Sequence, residues 1–207
     1  MKPTEILSEE HRVIEQVLDC LEKMAQNCAT EGRLDKTSAE QALDFFRNFA
    51  DRCHHGKEET HLFPAMEAKG FPRQGGPTGV MLHEHEQGRV HIRGMADAIE
   101  GATAGQSEGV TQFVTHARGY VSLLREHIEK EDHCLFTMAN QTLTENDQQK
   151  LLEAFEHVED EGMGLGTHEK FLTVADELAD RFGVKRTVDN RSKCACNHGC
   201  GAIDSAL

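Results

Sequence analysis

His54 and Glu58 stand four residues apart in His54-His55-Gly56-Lys57-Glu58-Glu59, a stretch that runs on into Leu62-Phe63-Pro64. The spacing recurs at His127 and Glu131, again ahead of a Leu-Phe pair, Leu135-Phe136. On an α-helix, residues i and i+4 lie nearly one above the other, so each pair can aim an imidazole and a carboxylate at one point. That is half of a metal site. Phe46, Ala50 and Leu62 extend the stripe of His54 and Glu58, which turns the pair toward a core, where a buried charge needs a partner. His55 and Glu59 fall on the other side, with Asp51 and Arg52. Two such helices in one chain predict a dinuclear site.

Four amphipathic segments must position these pairs. The first, 8–28, carries Leu7, His11, Ile14, Leu18 and Leu21 at three- and four-residue steps, and Ser8-Glu9-Glu10 resembles a capped helix start. The second, 37–69, holds His54 and Glu58 and stops at Gly70-Phe71-Pro72. The third, 80–99, places Met81, His85, Gly88, Ile92 and Met95 on one face and leaves His83 off it. The fourth, 110–140, aligns Phe113, Ala117, Tyr120, Leu124, His127 and Glu131. Every inner stripe contains a histidine. The expected architecture is all-α, an up-down four-helix bundle over 1–140 whose metal ligands project inward. A helical extension follows over 141–187, ending in a helix with Phe171, Val174, Ala175, Leu178 and Phe182 on one side, which should dock on the bundle or on a partner. The remainder, 188–207, has no period and is expected to be mobile.

Composition narrows the partners. A formal net charge of -14 argues against nucleic acid, whose phosphates would be repelled. The N-terminal stretch lacks the apolar core of a signal peptide and no run approaches a membrane span, so the expectation is a cytoplasmic protein without a membrane partner. Seven cysteines, with Cys20, Cys28, Cys53 and Cys134 scattered through helices, fit reduced thiols. Cys194, Cys196, His198 and Cys200 crowd into the tail, where they could hold a separate metal or act as a redox or metal-delivery segment. Tyr120 and His83 are candidates for the surroundings of the main site, against the plainer readings of a core tyrosine and a solvated histidine.

The pattern His11, His54-x-x-x-Glu58, His85, His127-x-x-x-Glu131 resembles the hemerythrin-like (HHE cation-binding) family. Lys57-Glu58-Glu59 with Leu62-Phe63-Pro64, and Gly76-Pro77 with Glu84-His85-Glu86, are similar to the bundle domain of bacterial di-iron proteins implicated in iron-sulfur cluster repair. The resemblance implies a non-haem centre of two iron ions with an oxo or hydroxo bridge, ligated by His11, His54, Glu58, His85, His127 and Glu131, with both glutamates bridging. It names no catalytic residue. Oxygen-carrying hemerythrins have a His-x-x-x-His pair on the third helix, whereas Arg89 stands four after His85, so a fifth histidine is expected to be missing. Asp132 competes with Glu131 as the last carboxylate, but a regular helix places Glu131 about 40° and Asp132 about 140° from His127. With four imidazoles the centre should be open and reactive toward peroxide or nitric oxide, in iron handling or oxidative and nitrosative stress. The alternatives are an oxygen-binding carrier or sensor, and an interaction module, partnered through the C-terminal helix or tail, in which metal only stabilises the fold.

Overall fold

The structure, a computed structural model, describes residues 1–158 and 166–187. Four long helical runs are followed by two shorter helices: α1 (Pro3–Glu31), α2 (36–68), α3 (Pro77–Thr103), α4 (107–142), α5 (Glu145–His157) and α6 (Thr167–Phe182). The all-α bundle expected from the stripes is the fold found. Pro3 and Pro77 open α1 and α3 at positions where the missing N–H costs no hydrogen bond, and Gly32 closes α1 at φ +68°, its N–H returning to the Cys28 carbonyl. Helix α1 therefore starts five residues before the expected Ser8. Ser8 is not its cap; its hydroxyl donates to Asp132 Oδ1 at 2.7 Å. Thr144 and Asp147 cap α5 reciprocally, the Asp147 N–H reaching Thr144 Oγ1 at 3.3 Å and the Thr144 N–H reaching Asp147 Oδ2 at 2.9 Å.

Helices α2 and α4 are not α-helical throughout. Phe46–His55, Glu58–Leu62 and Glu131–Leu135 wind as wider π-helical turns, marked by i to i+5 bonds such as Gly56 N–H to Asp51 O, Phe63 N–H to Glu58 O and Phe136 N–H to Glu131 O. Such turns are rare and concentrate at functional sites. Both helices carry them where they carry the His-x-x-x-Glu pairs.

The apolar stripes assemble into two clusters. One gathers Ile14, Leu18, Phe45, Phe46, Phe49, Ile92, Met95, Phe113, Leu124 and, from α6, Phe171 and Leu178. The other gathers Leu7, Leu62, Phe63, Met66, Met81, Leu135, Phe136 and, from α5, Leu151 and Phe155. The apolar side of α6 thus docks on the bundle. Along all four long helices, the buried histidines and glutamates sit between the residues of one cluster and those of the other, as His11 does between Leu7 and Ile14. The polar layer is walled from water at both ends by well-packed side chains, each worth about 1.5–3 kcal/mol of burial.

Candidate metal centre

Within that layer two groups of ligand atoms converge, His11, His54, Glu58 and Glu131 in one and His55, Glu58, His85 and His127 in the other, the atoms of each lying within 4.8 Å of one another. All seven side chains are at least 95 % buried. Glu58 faces both groups, with Oε1 at 3.7 Å from His54 Nε2 and Oε2 at 3.5 Å from His85 Nε2. Glu131 Oε2 also lies between them, 3.2 Å from His11 Nε2 and 3.3 Å from His127 Nε2. His85 Nε2 and His127 Nε2 approach to 3.1 Å. His11, His54, His85 and His127 each direct Nε2 inward, where it meets another group of the layer.

What fixes that orientation is a ring of carboxylates outside the histidines. His54 Nδ1 meets Glu10 at 2.9 Å, His11 Nδ1 meets Asp132 at 2.9 Å, and His85 Nδ1 meets Glu59 at 2.7 Å. His127 Nδ1 meets Glu84 at 3.0 Å and His55 Nδ1 meets Asp51 at 3.4 Å. When Nδ1–H donates outward, the Nε2 lone pair is free to bind a cation, and the carboxylate raises its basicity. Each carboxylate is itself held by a cation: Lys57 on Glu10, Arg12 on Asp132, Lys130 on Glu84, and Arg89 on both Asp51 and Glu59.

The electrostatics follow from this arrangement. Burial would raise the Glu10 carboxyl, but His54 and the Lys57 ammonium hold it at about 2. Burial lowers His54 to about 4 and, with repulsion from His55, lowers His85 to about 3, so both are neutral imidazoles. His127 runs the other way: against the effect of burial, Glu131 and Glu84 raise it to about 9. Burial and the nearby Glu131 charge push Glu58 well above the carboxylate range, while Glu131 is drawn well below it because His127 and His11 outweigh its own burial. Two carboxylates in one dry layer cannot both ionise without added positive charge.

That deficit is visible as unsatisfied atoms. Buried polar groups are normally hydrogen-bonded, yet His11 Nε2 and all four oxygens of Glu58 and Glu131 have no hydrogen-bond partner. Cations held within the two groups would meet this need, since His11, Glu58 and Glu131 are all members of them. The residues fit a bound metal.

All six expected ligand positions, His11, His54, Glu58, His85, His127 and Glu131, come together here. Asp132 does not: it lies outside His11 as a hydrogen-bond acceptor, and Glu131 points inward. Arg89 occupies the third-helix position four after His85, but a fifth imidazole comes from the second helix: His55, assigned from α-helical spacing to the outer side, is buried and stacked on His85 with centroids 3.8 Å apart. A π-turn rotates each residue by less than the ~100° of an α-helix, so adjacent His54 and His55 both reach the interior, one into each group. Asp51 four before His55 was the available signal, since it repeats the carboxylate-imidazole pairing. His83 is exposed and belongs to neither group. Tyr120 packs edge-on against Phe46, its hydroxyl kept protonated by burial. It helps line a cavity of about 210 Å³ that opens beside the second group, between Phe46, Asp51, His55, His85, Gly88 and Arg89. Cys194, Cys196, His198 and Cys200 lie outside the described residues.

Known proteins place this geometry in a lineage. Two curated mycobacterial proteins, "Uncharacterized protein Mb2018" of Mycobacterium bovis and "Uncharacterized protein Rv1995" of Mycobacterium tuberculosis, are each 22% identical to the chain over 176 residues, 85% of this chain and 67% of theirs. The profile of the hemerythrin HHE cation binding domain matches residues 2–139, a span that contains both ligand groups and all four long helices up to the last turn of α4. The chain therefore belongs to the hemerythrin family, as a helical bundle with an HHE cation-binding domain.

Proposed function

We propose that the chain is a non-haem di-iron protein that reacts with a small oxygen or nitrogen ligand, peroxide or nitric oxide above all, in iron handling or in oxidative and nitrosative stress. The observation that carries this reading is the set of orphaned donors within two ligand groups that share Glu58. His11, His54, Glu58 and Glu131 would hold one ion and His55, His85, His127 and Glu58 the other, with Glu131, 3.3 Å from His127 Nε2, available to both. Imidazole and carboxylate without thiolate suit iron, manganese or zinc, and paired carboxylate-bridged ions in a helical bundle favour iron or manganese. Bound as two ferrous ions at these residues, the metal would supply the electrons that reduce a small oxidant.

The chain's own residues do the rest. The carboxylate ring orients five imidazoles, the two apolar clusters exclude bulk water, and the cavity beside His55 and His85 gives a small ligand a way in. The two ligand groups differ in kind, three imidazoles and one carboxylate against two of each. A place in the cytoplasm fits Cys20, Cys28, Cys53 and Cys134, which form no disulfide among the described residues.

A second reading, reversible oxygen binding, gains from His55: five imidazoles remove the argument that the centre is too open for a carrier. Metal analysis followed by absorption spectroscopy separates the two. Reduced protein exposed to peroxide or nitric oxide should consume it repeatedly and return to its starting spectrum on re-reduction. A stable spectrum in air that reverses under vacuum, with no consumption of either oxidant, supports the carrier instead, and absence of bound iron or manganese removes both.

A further inference from the structure

His91 and His116 take no part in the interior layer. They face each other across the α3–α4 contact on the bundle's flank, half-buried, with their Nδ1 atoms 3.3 Å apart and their rings at 67°. Each ring lies on a glycine of the opposite helix. A Cβ added to Gly94 would come within 2.3 Å of the His116 ring, and one added to Gly119 within 2.4 Å of the His91 ring. The two helices are thus shaped reciprocally to bring these imidazoles together, which a lone pair of surface histidines does not require.

We propose that His91 and His116 form a second divalent-cation site, independent of the interior centre and selective for ions that accept two imidazoles, zinc foremost. Two nitrogens bound to one tetrahedral zinc at ~2.0–2.1 Å lie about 3.3 Å apart, which is the spacing already present. Burial and the neighbouring His116 lower His91, so it competes for a cation as a neutral imidazole at neutral pH. Half-burial leaves the remaining coordination positions to water, and the chain's net charge of -14 concentrates cations around it. Such a site serves as an exchangeable docking point for zinc on the outside of the bundle, and a bound ion would pin α3 to α4.

Calorimetric titration of the full chain with Zn2+, after its interior has been loaded with iron, tests the site. His91→Ala and His116→Ala should each lose one equivalent of zinc, and the double variant should lose no more than that same equivalent. Gly94→Ala keeps both imidazoles but displaces His116, and should weaken the same binding event. Zinc taken up elsewhere, the cysteines of 194–200 included, is common to every variant and cancels. Unchanged helical circular dichroism shows that the variants are folded. Equal zinc stoichiometry and affinity in the parent and both single variants would overturn the proposal, as would a double variant that loses two equivalents, since two independent surface histidines behave that way.

Discussion

At the residue scale the centre rests on two glutamates that each address both ligand groups. Glu58→Ala and Glu131→Ala should each lower metal content toward one ion or less per chain, because a shared bridge serves both ions; inductively coupled plasma analysis of the purified variants measures this. Two ions retained in both variants would sink the bridging assignment. The histidines divide as sharply. His55→Ala and His85→Ala should each lose or remodel one ion and change the visible spectrum, whereas His83→Ala, on an exposed position, should leave loading and spectrum intact. Six of the seven inward residues were legible from spacing, because His11, His54, Glu58, His85, His127 and Glu131 fall on apolar stripes at three- and four-residue steps. His55 was not, because that argument assumes 100° per residue where the backbone does not obey it. Glu10, hidden in what reads as an acidic first turn, was missed for a related reason: the helix starts earlier, at Pro3.

At the element scale the π-turns place consecutive histidines in one layer, and a geometry of that kind must be held from outside. Arg89 is the residue that holds it between α2 and α3, since its guanidinium binds Asp51 at 2.7 Å and Glu59 at 2.8 Å, the partners of His55 and His85. Arg89→Met should release both imidazoles and weaken the ion they share by about 10–100-fold, the usual cost of losing such an outer partner. Competition with a chelator measures that loss, and unchanged affinity would leave Arg89 a surface ion pair only. Lysine should not rescue it, because one ammonium cannot reproduce the forked contact. The last helix is expected to act on stability rather than on the metal. Phe171 is buried in the first apolar cluster, its ring against Phe45 and Phe49 and none of its ring contacts on a ligand residue, so Phe171→Ala should cost about 3–5 kcal/mol in denaturant unfolding while the metal spectrum is preserved.

At the scale of the whole molecule, the fold spends stability on a charged layer between two apolar ones, and protons stand in for the cations when metal is absent. His127, raised to about 9, and Glu58, also raised, bind protons more tightly in the folded metal-free chain than in the unfolded one, as does His11. The sign follows from linkage: a raised pKa stabilises the folded chain fully below the unfolded value, about 6.5 for histidine, and the gain is lost as pH rises through the folded value. His54 and His85, at about 4 and 3, have finished titrating below this window and do not oppose it. The metal-free protein should therefore lose stability between pH 6.5 and 9, on the order of 3 kcal/mol from His127. Metal takes the place of those protons, so loading at neutral pH should release protons into the buffer and its affinity should climb toward pH 9 before levelling off. Melting curves of metal-free and metal-loaded protein across that range, with calorimetry in buffers of different ionisation enthalpy, measure both effects. The gap between the two melting temperatures should widen with pH; a constant gap and a proton-neutral uptake would mean that no proton occupies the layer in the metal's absence.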